Sequence, residues 1–183
     1  MKAHSDARPK SRPPNRFPVL DAGALAVASI VSLMVVPVWL WLGHAPLNQR
    51  AAPPGFELLI LAIAALSTQL ISLIQIFVHI RAFGGAVVRG NRENYPVASG
   101  LAARLGRAHT NAVENLVPFS AIILAAQILG VSNRGTVAGA VLFLVARVVH
   151  MVSYSTGITI LRSAAFYVGV LAIILVAAQL PWP

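Results

Sequence analysis

The chain has 183 residues, of which 57% are hydrophobic and 10% charged, with 14 Lys and Arg against five Asp and Glu and no cysteine. Its mean hydropathy of +0.77 excludes an ordinary soluble domain and places it among membrane proteins. The lack of cysteine excludes disulfides and any thiol nucleophile of the protein's own.

Residues 1–18 form a basic, proline-rich tail carrying Lys2, Arg8, Lys10, Arg12 and Arg16. Five apolar stretches follow, each tested against the roughly 20 residues a helix needs to cross the hydrocarbon core. The first, residues 19–42, reads as an additional transmembrane anchor ending at Gly43. Its apolar core is longer than that of a cleavable signal, and its small-residue exit, Gly43-His44-Ala45, is followed by Pro46, so the span is expected to be retained. Pro37 is expected to kink it. The other four spans cover residues 56–80, 116–131 with a polar helical prefix from residue 102, 136–154 and 163–180. The fold class is therefore an all-α integral membrane protein, with no soluble domain between spans.

Placing the N-terminus in the cytoplasm puts the loop of residues 81–104 and the turn of residues 156–162 on the same side. Lys2, Arg8, Lys10, Arg12, Arg16, Arg81, Arg89, Arg92, Arg104, Arg107 and Arg162 then lie inside, against Arg50 and Arg134 outside. That asymmetry is the positive-inside pattern of a multi-pass membrane protein, and it accounts for the +9 net charge better than nucleic acid does. A further use for the charge is contact with anionic headgroups of the lipid bilayer. Trp39, Trp41 and Trp182 stand at span ends, where aromatic belts form.

The segment RAHTNAVENL, residues 107–116, places charges at the mouth of the third span. Arg107, Asn111 and Glu114 are spaced i, i+4 and i+7 and share one helix face. Ionised groups at depth cost about 2.5–3.5 kcal/mol each, so the stripe must face protein or a water-filled cleft. On the fourth span Arg147, His150 and Tyr154, spaced i, i+3 and i+7, form a second stripe. Levelling Arg107 with Tyr154 at the interface of two antiparallel neighbours predicts a Glu114–Arg147 ion pair, with Asn111 near His150 and Arg107 near Tyr154. Such pairs also serve simply to join helices. Arg81, Arg104, Arg107 and Arg162, however, outnumber the local acids Glu93 and Glu114, and a surplus of guanidinium forks suits a carboxylate ligand. The five histidines lack metal-ligand spacing, so no metal is expected, and the glycines at 84, 85 and 90 mark a loop without the residues of a phosphate cradle.

The runs RAHTNAVENLVPF and ARVVHMVSY, followed by LRS, resemble the MAPEG family, the membrane-associated proteins of eicosanoid and glutathione metabolism. The resemblance covers about residues 57–181 and looks most like bacterial members, implying a bacterial inner-membrane location. It implies a four-helix bundle, here preceded by one additional transmembrane helix, assembled as a homotrimer with glutathione as thiol co-substrate at the cytoplasmic side. By the same resemblance Arg81, Arg107, Asn111, Glu114, His150 and Tyr154 bind glutathione, and Arg162 is the catalytic residue that stabilises the thiolate. A free thiol has a pKa of about 8.5, and a neighbouring guanidinium favours its nucleophilic form. Asn115 and His150 stand where some members carry tyrosine, and the spacing from Tyr154 to Arg162 is about one residue longer than in the leukotriene synthases.

The resulting expectation is a transferase or peroxidase acting on hydrophobic electrophiles in the bilayer. The alternative is a non-catalytic membrane scaffold, or a lipid- or partner-binding protein, of the same architecture. A transporter is disfavoured, because intramembrane ionisable groups are sparse and no two spans are broken in matching places.

Overall fold

The structure is a computed structural model that describes residues 29–33, 36, 49, 52–91, 93 and 95–182. All the secondary structure among the described residues is helical: α1 (Phe56–Phe83), the short α2 (Gly85–Arg89), α3 (Gly100–Ile128), α4 (Arg134–Thr156) and α5 (Thr159–Ala177). The four long helices have 28, 29, 23 and 19 residues and are long and apolar enough to cross a membrane. They measure between about 28 and 43 Å, against a hydrocarbon core of about 30 Å. The tail of residues 1–18 and most of the additional span expected over residues 19–43 lie outside the described residues. Residues 29–33 and 36 of that span are helical, and Val31 packs against the core of the bundle.

Local chemistry sets the helix ends. Asn133 and Thr136 form a reciprocal capping box at the start of α4: Asn133 Oδ1 accepts from the Thr136 N–H at 3.0 Å, and Thr136 Oγ1 accepts from the Asn133 N–H at 2.9 Å. Gly157, at φ 84°, closes the other end in a left-handed conformation that only glycine adopts cheaply, and its N–H donates to the Ser153 carbonyl at 2.9 Å. Only residues 157 and 158 therefore separate α4 from α5. The turn expected over residues 156–162 is shorter than that, and Arg162 stands in the first turn of α5. α3 is continuous from its polar prefix into its apolar part. Pro118 interrupts its bonding, because it has no N–H to offer the Glu114 carbonyl one turn earlier.

The core combines two rings with alanines and the branched aliphatics Ile60, Ile123, Leu142, Val168 and Val176. Phe119 of α3 and Phe143 of α4 are buried and stacked, with centroids 3.8 Å apart and planes 12° from parallel. α4 and α5 approach closely along Gly135, Gly139, Ala146, Ala165, Gly169 and Ala172. Small residues let helix backbones approach in lipid, where apolar side chains gain little by leaving the bilayer for each other. At one end of the bundle Glu57, wholly buried in the first turn of α1, ties α1 to α4. Its Oε1 accepts from the hydroxyls of Thr136 and, at 2.9 Å, Ser132. The outer face of α1 remains apolar and exposed at Leu59, Leu66, Leu70, Leu73 and Phe77, as suits a surface against lipid or another copy of the chain.

Candidate functional site

Two clefts open side by side at the end of the bundle where α3 begins and α4 ends. The larger, of about 460 Å³, is lined by Arg107, Asn111 and Glu114 of the α3 stripe, Tyr154 of α4, His79 of α1 and Ala98 of the segment before α3. The smaller, of about 200 Å³, lies between α4 and α5 and is lined by His150, Tyr154, Arg162, Ser163, Phe166 and Tyr167, again with Asn111. Asn111 and Tyr154 form the wall common to both.

Arg107, Asn111 and Glu114 line one cleft, as their i, i+4, i+7 spacing implies, and Tyr154 lines it with them. Arg107 and Glu114 are exposed, and neither has an ion pair among the described residues. Arg162 turns toward the shared wall, with Cζ 4.8 Å from the Tyr154 ring centroid, within cation–π range. His150 is buried, meeting the Tyr154 ring edge to face at 5.2 Å. Asn115 is buried, its Nδ2 donating back to the Asn111 backbone carbonyl one turn earlier on α3 at 2.8 Å, and it lines neither cleft.

Three expectations require correction. The Glu114–Arg147 ion pair does not form: Arg147 Nη1 donates to Asn111 Oδ1 at 3.2 Å and Nη2 to the Ala165 carbonyl at 3.3 Å. The physical reason is axial register. Arg104 Nε donates to the Ser155 carbonyl at 3.1 Å and Asn111 meets Arg147 in place of His150, so the pairing between the two helices is offset by two to three residues from the alignment that levels Arg107 with Tyr154. Arg104 is thereby directed toward the partial negative charge at the C-terminus of α4, and it lines neither cleft. Arg81 is also apart from the cluster: it is exposed, lies over Phe77 with Cζ 5.2 Å from the ring centroid, and lines neither cleft.

The residue set read from sequence lacked the wall made by α1 and the loop. His79 Nε2 lies 3.4 Å from the Ala102 carbonyl, which can only accept, so in the neutral ring Nε2 carries the hydrogen. Nδ1 is then free to accept from the Tyr95 hydroxyl at 3.0 Å. With Phe83 edge-on to both rings, this contact holds the segment around Ala98 against the cleft. The signal was faint: a histidine near the end of an apolar span and a tyrosine in NRENYP, 16 residues apart. Among the described residues no group of His, Asp and Glu could hold a metal ion.

A sequence model of the MAPEG family matches residues 24–182, a match that begins inside the segment read as an additional span. No functionally curated protein and no solved structure matches the chain.

Proposed function

We propose that this chain, which belongs to the MAPEG family, is a glutathione-dependent transferase or peroxidase acting on hydrophobic electrophiles dissolved in the bilayer. One observation carries the reading: Arg107, Asn111, Glu114 and Tyr154 converge on a single open cleft, and the wall of that cleft is shared with the cleft that holds Arg162. Its 460 Å³ falls within the roughly 300–1,000 Å³ typical of small-molecule sites. Arg107 and the Asn111 amide donate to carboxylates of the tripeptide, Glu114 accepts from its ammonium group, and the cysteinyl sulfur reaches toward Arg162.

In the transferase reaction the thiol gives its proton to solvent and the guanidinium stabilises the thiolate. The sulfur lone pair forms an S–C bond as the leaving group departs with its electrons. In the peroxidase reaction the thiolate attacks a hydroperoxide oxygen, the O–O bond breaks, and the alkoxide takes a proton to leave as alcohol. A second glutathione then converts the resulting sulfenic acid to the disulfide and water. The proposed assembly is a homotrimer in a bacterial inner membrane with the N-terminus and both clefts on the cytoplasmic side, where the exposed Arg107 and Glu114 of one subunit can meet its neighbour.

The test is titration calorimetry with glutathione, together with ultraviolet absorbance of the thiolate. Wild type is expected to bind and ionise the tripeptide, and Arg107→Ala to weaken binding about 10- to 150-fold, the equivalent of a charged hydrogen bond worth about 1.5–3 kcal/mol, while leaving assembly intact. Absence of heat and of thiolate absorbance at millimolar glutathione would sink the enzyme reading. A non-catalytic scaffold is favoured only by the bonds that Arg147 and Arg104 make within the bundle. For a scaffold, Arg107→Ala would disturb assembly instead.

A further inference from the structure

We infer that Arg147 is a positioning residue that, lying flat across Gly169, takes up the Asn111 carbonyl oxygen and thereby turns the Asn111 amide N–H donors into the clefts. A guanidinium has five N–H donors and no acceptor, so the atom of Asn111 that faces it, 3.2 Å away, must be the oxygen. The amide nitrogen then points the other way, and Asn111 lines both clefts. The shared wall thus offers donors to a ligand and withholds the acceptor. That arrangement selects anionic groups, a carboxylate or a thiolate, over cationic ones. The identity of the tripeptide rests on the proposed function; the orientation of the amide does not.

The setting of Arg147 fits this role better than a role as half of an ion pair. Its guanidinium lies between the rings of Phe143, at 5.5 Å, and Phe166, at 6.0 Å. Nη2 is held by the Ala165 carbonyl, and Nε is buried without a partner. No carboxylate among the described residues pairs with it, so its charge stays unquenched immediately behind Asn111. In a low-dielectric interior such a charge attracts an anion in the clefts much more strongly than it would in water.

Gly169 makes the arrangement possible and also testable. A Cβ at that position would collide with Nη2 and lie 2.9 Å from Cζ and 3.0 Å from Nε, and every atom it would meet within 3 Å belongs to Arg147. Gly169→Ala therefore displaces the guanidinium while leaving every cleft residue unchanged. Asn111→Asp reverses the logic: the new carboxylate pairs with Arg147, keeps the contact between helices, and presents acceptors where the ligand needs donors.

The experiment measures glutathione binding by calorimetry and thermal unfolding in detergent for wild type, G169A, R147Q, R147K and N111D. Weakening by about tenfold or more is expected in G169A and R147Q, with most of the affinity returning in R147K, whose ammonium still donates to Asn111. N111D is expected to lose measurable binding while melting no lower than wild type. Wild-type affinity in both G169A and R147Q overturns the inference, as does a loss of binding in N111D that merely follows a loss of stability. Should wild type itself bind no glutathione, the enzyme reading falls and the melting temperatures decide this inference alone. Substituting Asp at 111 then raises the melting point when Arg147 is present and lowers it in R147Q if the guanidinium donates to that side chain; equal shifts in both backgrounds overturn it.

Discussion

Gly139→Ala tests whether the contact between α4 and α5 is set by backbone approach. The added Cβ would lie 2.5 Å from Val176 Cγ2, 2.9 Å from the Ala172 carbonyl oxygen and 3.4 Å from the Val176 nitrogen. Val176 and Ala172 are wholly buried, and a carbonyl oxygen inside a helix cannot move unless the helix moves. The collision should cost about 1–3 kcal/mol, as overpacking of a filled interior does. Exchanging glycine for alanine inside a helix returns about 0.8–1 kcal/mol, leaving a net loss of about 0–2 kcal/mol. Gly106→Ala on α3 is the control, because its Cβ would meet only Gln75 Nε2, at an ordinary 3.6 Å. Both substitutions share the propensity gain, so the difference between them isolates the collision. Unfolding of each variant by titration of sodium dodecyl sulfate into mild-detergent micelles, followed by circular dichroism, reads that difference. G139A unfolding at the same denaturant fraction as G106A would refute the reasoning.

Substitutions at three further positions probe the remaining contacts by the same unfolding assay. Phe143→Ala removes half of the stacked pair at the core and should cost about 3–5 kcal/mol. Arg104→Ala withdraws the guanidinium from the Ser155 carbonyl at the end of α4; a loss of about 0.5–1.5 kcal/mol is expected, with glutathione affinity unmoved. Glu57→Leu leaves the Ser132 hydroxyl without its acceptor, whereas Thr136 can still donate to the Asn133 carbonyl at 2.9 Å. The expected loss is therefore that of one buried group, about 1–3 kcal/mol, and Glu57→Gln, which keeps an acceptor oxygen, should recover most of it.

Hydropathy and helical periodicity made the bundle and the α3 stripe legible, because both depend on one helix at a time. The start of α1 at Phe56 coincides with the start of its apolar run. The start of α5 does not, since Thr159 and Arg162 are polar and a hydropathy window discounts them until Ser163 is passed, while the backbone needs only Gly157 to reverse direction. Glu57 was illegible for the opposite reason: one acid at the edge of an apolar run reads as the interface, and only the fold shows Ser132 and Thr136 converging on it from 75 and 79 residues away.

Pairing between helices is a different kind of quantity. Spacing within a helix determines which residues share a face, but nothing in it determines how far the neighbouring helix is displaced along its axis. A displacement of one turn is about 5.4 Å, within the reach of an arginine side chain, so a guanidinium on α4 can satisfy any of several levels on α3. Arg147 takes the neutral amide of Asn111 and leaves the carboxylate of Glu114 unclaimed. The consequence for the site is substantial. Had Glu114 and Arg147 neutralised each other, the larger cleft would hold the cation of Arg107 and no accessible acid. With Arg147 bonded to an amide and a carbonyl, Arg107 and Glu114 both remain open to the cleft and offer it charges of both signs. A zwitterion with a carboxylate and an ammonium on the same glutamyl residue needs that combination, and a simple fatty anion does not. A comparison of glutathione with an analogue lacking the amino group therefore measures what Glu114 contributes. Equal affinity for the two would mean that the carboxylate, although free, plays no part in recognition.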